Sequence, residues 1–578
     1  MSVTIDREKI ETVRLTIDGC ALEVKAGTTV LEAAKLAGVQ IPTLCYLKGI
    51  QAIGACRVCL VEVEGWRNLQ AACVFPVAEN MVVKTNTPKV REARKFAVEL
   101  ILADHPFECL TCARNLKCEL QDLANKMGID KVPYAVQREA LQDRSTPALV
   151  RDNSKCILCQ RCVSVCHNVQ GVGALGFSGR GFKTQVTPAF EEMLGDVACT
   201  MCGQCATACP VGAITEKNDL DKVWNALADK TKHVVVQTAP AVRVALGEEF
   251  GMSPGSIVTG KMVAALRQIG FAKVFDTDFT ADLTIIEEGH ELLNRLKNNG
   301  KLPMITSCSP GWIKYIEHFQ PEMLDHLSTC KSPQQMFGAV AKSYYAEMAK
   351  IAPEDMFVVS IMPCTAKKYE RQRPEMIEDV DAVLTTRELA KMIKQAGIDF
   401  NALPDQEYDQ PFGIGSGAGV IFGSTGGVME AALRTVYEVV TGQTLPKIDL
   451  VEVRGLEGIK EATVMVGDLP VKVAVAHGLS NAKKLLDRIK AGEADYQFIE
   501  VMCCPGGCLG GGGQPIPTTD EIRQKRAAAL YQADKDLPIR KSHENPAVKK
   551  LYQDYLGEPN GEKAHHLLHT KYTKRSRY

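Results

Sequence analysis

The chain has 578 residues, of which 46% are hydrophobic and 24% charged, and its formal net charge is −1. That length fits roughly four domains, and the balanced charge leaves no electrostatic footprint for nucleic acid. No run of about 18 apolar residues marks a membrane span, and the opening segment MSVTIDREKIETVR lacks the apolar core of a signal peptide, so a cytoplasmic setting is expected. The basic run from Lys571 to Arg577 reads as a solvated tail. The 22 cysteines decide the class: they are too dilute for a disulfide scaffold and gather in short-spaced groups of metal-ligand type.

In chain order, residues 13–17 and 21–24 are β-type runs separated by Asp18-Gly19, and Thr29 is placed to cap a helix over 30–37. Cys45, Cys56, Cys59 and Cys73 follow with the spacing C-x10-C-x2-C-x13-C. Zinc is the competing reading for four cysteines. The spacing resembles the 2Fe-2S ferredoxin domain at the front of complex I subunits and of long iron-only (FeFe) hydrogenases.

Residues 81 to about 125 are helical in pattern, with Val90, Ala93, Phe96, Ala97, Leu100 and Ile101 at helical spacing. They lead into His105, Cys109, Cys112 and Cys118, an H-x3-C-x2-C-x5-C run. It resembles the segment of the same two families in which one His and three Cys bind a 4Fe-4S cluster.

Cys156, Cys159, Cys162 and Cys166 make C-x2-C-x2-C-x3-C, and Cys199, Cys202, Cys205 and Cys209 repeat it before Pro210. This is the two-cluster ferredoxin pattern, in which the fourth cysteine of each run ligates the other cluster. One set is therefore Cys156, Cys159, Cys162 and Cys209, and the other Cys199, Cys202, Cys205 and Cys166.

From about 225 the chain becomes α/β, with buried-strand runs at 234–236, 273–275, 357–359, 383–384 and 471–475. The glycine-rich stretch 413–427 holds no G-x-G-x-x-G, so no dinucleotide site is expected there, only close packing or close approach to a cofactor. Three further cysteine segments each follow an apolar strand-like run into a tight turn, the place where sites are built in α/β folds. They are Thr306-Ser307-Cys308-Ser309-Pro310-Gly311-Trp312, Met362-Pro363-Cys364-Thr365-Ala366-Lys367, and Met502-Cys503-Cys504-Pro505-Gly506-Gly507-Cys508.

These three segments resemble the signature motifs of the FeFe hydrogenases, TSCCPxW, MPCxxKxxE and a terminal motif ending in GGC. Met362, Pro363, Cys364, Lys367 and Glu370 match the second in full. With the segment from 516 onward, similar to the small helical C-terminal portion of the family, the likeness covers nearly the whole chain. It implies an α/β and α+β multidomain architecture. The parts are a 2Fe-2S ferredoxin-like domain at 1–83, a 4Fe-4S domain with one His and three Cys ligands at 84–125, and a two-4Fe-4S ferredoxin domain at 126–222. An H-cluster catalytic domain at 223–515 and a small-subunit-like helical extension at 516–578 follow.

The resemblance implies one 2Fe-2S cluster, three accessory 4Fe-4S clusters and an H-cluster, a 4Fe-4S cubane joined to a di-iron centre carrying CO and cyanide. The activity implied is reversible H2 oxidation and proton reduction. Cys308, Cys364, Cys504 and Cys508 are the expected H-cluster thiols. Lys367 is expected to donate to a cyanide, with Met362, Met502 and Pro240 against the same centre. Cys308, Ser328, Glu288 and Glu291 match the family's proton path, with Arg295 at its mouth; spacings of three and four put Glu288, Glu291 and Arg295 on one helix face.

Ser309 departs from the family, which has a ligating cysteine there. Ser309 ligating through oxygen, Cys308 swinging in with Ser309 as relay, and the neighbouring Cys503 are the open candidates for the fourth cubane ligand. Cys20, Cys330 and one motif-adjacent cysteine are left over. The variant first motif resembles catalytic subunits of NAD(P)-linked or electron-bifurcating hydrogenases. That implies flavin-containing, NAD(P)H-handling subunits as partners, ferredoxin, or both, together with maturation proteins. A monomeric ferredoxin-linked enzyme and a sensory hydrogenase are the alternatives.

Overall fold

In the computed structural model, which describes residues 11–134, 136, 141–467 and 469–577, the first unit is a five-stranded sheet. Its order is Cys20–Lys25, Thr12–Ile17, Met81–Lys84, Leu60–Val63 and Gln70–Ala71. Leu15, Ile17, Val61 and Val83 turn inward onto the helix Val30–Leu36, whose first turn Thr29 caps by accepting from the Glu32 N–H. The start of the expected helical stretch is corrected here: Met81–Lys84 is a strand, with alternating buried positions suited to a pleated sheet. The helix begins only at Pro88, with Thr87 as its cap, and runs to Ala103. Its buried stripe is Val90, Val98 and Leu102, while Phe96 and Leu100 are about half exposed, at 48% and 49%.

In the next unit the two cysteine repeats have the same backbone. Leu158 and Gln160 have φ of 53° and 67°, and Met201 and Gly203 have 56° and 71°. The second of each pair starts a short helix, Arg161–Ser164 or Gln204–Ala208. The positive φ values fold each cysteine loop tightly enough to turn three sulfurs inward.

The large unit contains two four-stranded sheets. The first, in the order Lys273–Asp276, His233–Thr238, Met356–Met362 and Ala382–Thr385, is wholly parallel. Its strands are apolar on both faces, as a sheet covered twice requires. The second has the order Met304–Ile305, Phe498–Met502, Leu469–His477 and Ile459–Val466, with only the last pair antiparallel. The long helix Thr277–Lys297 packs against the helices Pro333–Val340, Gly417–Ile421 and Gly427–Thr441. The glycine-rich stretch serves this packing: a Cβ on Gly415 would stand 2.5 Å from the Asp278 side chain, and one on Gly419 2.6 Å from the Asp278 carbonyl.

The C-terminal segment wraps back over this unit through the helix Asp520–Asp536 and shorter turns. Asp534 receives two bonds from the fully buried Arg434, and Arg526 grips Glu248 with a two-pronged contact at 2.7 Å. The basic tail is exposed along most of its length, as expected, but it is anchored to the core through Arg575. Glu317, fully buried on the helix Pro310–Phe319, holds Arg373 from the core and Arg575 from the tail, the latter at 2.7 Å. Arg577 adds bonds to the carbonyls of His318 and Phe319. A buried carboxylate that needs cationic partners fixes the tail.

Candidate active site and cluster sites

Ends of parallel strands from both sheets point into one cavity. Met304–Ile305 leads to Cys308 and Ser309, Met356–Met362 to Cys364, Phe498–Met502 to Cys503 and Cys504, and His233–Thr238 to Pro240. Met362, Lys367, Phe422, Met502 and Cys508 complete much of its wall. Glycines bring the third cysteine loop close. A Cβ on Gly507, where φ is +80°, would meet the Thr425 amide nitrogen at 2.7 Å, and one on Gly511 would meet the Pro363 carbonyl oxygen at 2.2 Å.

The chemistry of the wall suits a thiolate-held iron cluster. Burial first, and then the charges of Cys504 and Cys508, push the Cys364 thiol up; burial and Cys504 push Cys508 up to about 12. Thiols crowded in this way ionise together only against a compensating positive charge, which iron supplies. Gln334 Oε1 is buried at the same wall with no hydrogen-bond partner among the described residues. Lys367 Nζ donates to the Cys308 carbonyl at 3.2 Å and to Glu370 Oε2 at 2.9 Å. Glu370 also accepts from Ser332 at 2.9 Å and Gln334 at 3.1 Å.

From Cys308 a run of carboxyls leads outward along the helix Thr277–Lys297. The Glu288 charge is the second influence on Cys308, after burial. Glu288 is itself buried, and burial, with the Glu291 charge behind it, raises its pKa to about 8. Ser328 donates to Glu291 Oε2 at 2.9 Å, and Arg295 donates to Glu291 Oε1 at 2.6 Å and to the Leu327 carbonyl at 2.6 Å. The helix therefore brings Glu288, Glu291 and Arg295 to one side, with Ser328 supplied by the segment beyond the first motif. Cys330 Sγ lies 4.0 Å from Glu291, while Cys20 is exposed in the first sheet.

Four smaller groupings hold the other cysteines. Cys45, Cys56, Cys59 and Cys73 touch one another through Cys45–Cys56, Cys45–Cys73 and Cys59–Cys73 contacts. His105, Cys109, Cys112 and Cys118 line one pocket. His105 Nδ1 is buried there without a hydrogen-bond partner among the described residues, and burial lowers its pKa to about 4, leaving the neutral, metal-binding form at pH 7. Cys156, Cys159, Cys162 and Cys209 line a second pocket, and Cys166, Cys199, Cys202 and Cys205 a third. The N–H groups of Leu158 and Met201 each point at the sulfur two residues back, Cys156 and Cys199, at 3.4 Å.

Side chains that sequence reasoning did not single out tie these places together. Gln51 donates to the carbonyls of Cys45 at 2.7 Å and Cys159 at 2.8 Å, joining the first cysteine loop to the second pocket. Arg114, from the His105 loop, donates to the Cys209 carbonyl at 2.6 Å, joining that loop to the same pocket. Thr365 donates to the Met201 carbonyl at 2.8 Å and Gln204 to the Gly510 carbonyl at 2.8 Å, joining the third pocket to the large cavity. Glu370 was legible as part of the second motif, three residues from Lys367 on one helix. Gln51 and Arg114 carry no sequence signal of their own.

Residues 232–512 match the iron-only hydrogenase large subunit, C-terminal domain, and residues 520–575 the iron hydrogenase small subunit. Upstream, 11–88 match a 2Fe-2S cluster binding domain, 94–133 the NADH-ubiquinone oxidoreductase-G iron-sulfur binding region, and 136–213 a 4Fe-4S dicluster domain. The chain belongs to the iron-only hydrogenase family: it is an oxidoreductase acting on H2 and protons, with a large-subunit and a small-subunit region in one polypeptide. It is 53% identical to the NADP-reducing hydrogenase subunit HndD of Solidesulfovibrio fructosivorans, over 97% of this chain and 99% of that one. It is 44% identical to iron hydrogenase 1 of Clostridium pasteurianum, over 97% of this chain and all of that one. A solved FeFe hydrogenase structure from Chlamydomonas reinhardtii aligns with a TM-score of 0.57 and 48% identity, over 62% of this chain and 100% of that one. Among the described residues no helix is long and apolar enough to cross a membrane.

Proposed function

We propose that the chain is the H2-converting subunit of an NAD(P)-linked or electron-bifurcating complex, with an H-cluster in the large cavity held by Cys364, Cys504, Cys508 and a fourth ligand. The cofactor, when bound, supplies the redox chemistry that interconverts H2 with protons and electrons. Lys367, aimed by Glu370, offers a charged donor to the cyanide side of that cofactor. Met362, Met502 and Pro240 give it a soft, water-poor wall. Cys308, Glu288, Ser328 and Glu291 pass protons between the cavity and the partly buried Arg295. A carboxyl with a pKa of about 8 is suited to both taking and giving a proton near neutrality.

Electron transfer uses one 2Fe-2S cluster on Cys45, Cys56, Cys59 and Cys73, and three 4Fe-4S clusters on the other groupings, His105 included. The observation that carries the complex is the branching. The two outer sites, joined through Gln51 and Arg114, converge on the single pocket of Cys159 and Cys209. A wire with two outer ends and no dinucleotide-binding motif fits a partner that handles flavin and NAD(P)H. The similarity to an NADP-reducing hydrogenase subunit supports the same reading, and the cytoplasm, where NAD(P) is turned over, is the setting that goes with it. Gel filtration and native mass measurement of the enzyme from its own host are expected to find it with a flavoprotein. A lone 63.0 kDa chain, fully active with ferredoxin and free of flavin, would overturn the proposal.

A further inference from the structure

Cys364, Cys504 and Cys508 leave one corner of a cubane to be filled, and the cavity wall offers Cys308, Ser309 and Cys503. Iron–sulfur clusters prefer thiolate to hydroxyl oxygen, so Ser309 is the weakest donor of the three. It also stands where Cys503 can replace it: the Cys503 N–H donates to Ser309 Oγ at 3.2 Å, so residue 503 starts from beside residue 309.

The Cys503 side chain is placed among sulfurs. It touches the Cys504 and Cys202 thiols, and its sulfur also lies 3.9 Å from Gln170 Oε1. Room for it comes from Gly311, where a Cβ would lie 2.6 Å from Cys503 Sγ. Any larger residue at 311 would occupy the space of that sulfur. Cys308 has different neighbours. Its thiol feels the charges of Glu288, Lys367 and Cys508, and its carbonyl is held by Lys367 at 3.2 Å. Among the charges that act on its thiol, the Glu288 carboxylate comes first.

We propose that Cys503 supplies the fourth protein thiolate of the active-site cubane, in place of Ser309, leaving Cys308 at the head of the carboxyl run. The inference rests on the reading that the large cavity holds the H-cluster. The Cys503 S–H bond breaks as its sulfur binds iron, and the proton goes to solvent. Because Cys503 also touches Cys202, a ligand of the cubane and a ligand of the adjoining accessory cluster are in direct side-chain contact. Electrons then cross from one centre to the other with no intervening residue.

The test uses full-length protein made anaerobically without maturation proteins, so that iron assay and electron paramagnetic resonance report the cubane without the di-iron centre. Cys364→Ala sets the reference, a loss of one cluster's worth of iron and of its signal. Cys503→Ala is expected to show the same loss, and Ser309→Ala is expected to keep the wild-type iron and signal. Cys503→Ser, nearly the same size, is expected to alter the cubane's spectrum and midpoint potential, which a packing role would leave unchanged. Full iron and an unchanged spectrum in both Cys503 variants, or loss of the cubane in Ser309→Ala, would overturn the inference. If Cys364→Ala also keeps all its iron, the reading of the cavity as the cubane site fails instead.

Discussion

Lys367 Nζ lies 2.9 Å from Glu370 Oε2, and the side chains are only 11% and 4% exposed. Three residues apart on one helical turn, they form a pair whose carboxylate is also bonded by Ser332 and Gln334. The pair aims a cation at the cavity and neutralises it at the same time. Removing one member of a buried pair leaves an uncompensated charge, at a cost of about 3–5 kcal/mol. Glu370→Ala should therefore lower the thermal midpoint of the anaerobic protein clearly, and Glu370→Gln, which keeps some hydrogen bonds, should lower it less. Equal midpoints for wild type and Glu370→Ala would show that the pair does not hold the wall.

Proton transfer should depend on Glu288 and Glu291. Glu288→Gln and Glu291→Gln are expected to slow H2 turnover by about 10²–10⁴-fold, the range for a lost general acid–base group. Iron content should stay at the wild-type level. Wild-type rates in both variants would place the proton path elsewhere.

The raised pKa of Glu288 has its own signature. Its folded value of about 8 lies above the ordinary 4.5, so its contribution to stability is fully present below the ordinary value and is lost as pH rises through about 8. Thermal midpoints of wild type should fall over that window more than those of Glu288→Gln. Since the Glu291 charge is a cause of the shift, Glu291→Gln should move the infrared band of the protonated Glu288 carboxyl to a lower titration midpoint. An unmoved midpoint would remove Glu291 as a cause.

His105 faces its pocket with Nδ1 unpaired among the described residues. Imidazole in place of thiolate raises a cluster's reduction potential. His105→Cys should keep the iron and lower the potential of one 4Fe-4S cluster, followed by redox titration with paramagnetic resonance. No change in any potential would mean that His105 is not a ligand.

Gly511 faces the Pro363 carbonyl so closely that a methyl group would stand 2.2 Å from its oxygen. Gly511→Ala must separate the second and third cysteine loops, an overpacking cost of about 1–3 kcal/mol. A lowered thermal midpoint together with lost H-cluster infrared bands is the expected result, and an unaltered protein would show that the loops need not touch.

Much of this was legible because chelation leaves short-range marks. The two C-x2-C-x2-C-x3-C runs announce their pockets, and the apolar runs ahead of Cys308, Cys364 and Cys504 announce strands that end at a site. Where the outcome depended on distant partners, the sequence was silent or misleading. The Lys571–Arg577 run has the composition of a solvated tail, and only the buried Glu317, more than 250 residues away in sequence, explains why Arg575 is held. Met81–Lys84 joins a sheet because Thr12–Ile17 and Leu60–Val63 wait on either side of it. Gln51 and Arg114 look like any polar surface residues until the loops they join are in place. The neighbourhood of Ser309, Gly311 and Cys503 spans two motifs nearly 200 residues apart, so no local pattern could reveal it.

Infrared spectroscopy of the anaerobically matured protein reads directly whether the large cavity holds an H-cluster. Wild type should show bands from metal-bound CO and cyanide that disappear in Cys508→Ala while the accessory-cluster signals persist. Wild-type protein that turns over H2 without such bands, or bands that survive unchanged in Cys508→Ala, would contradict it.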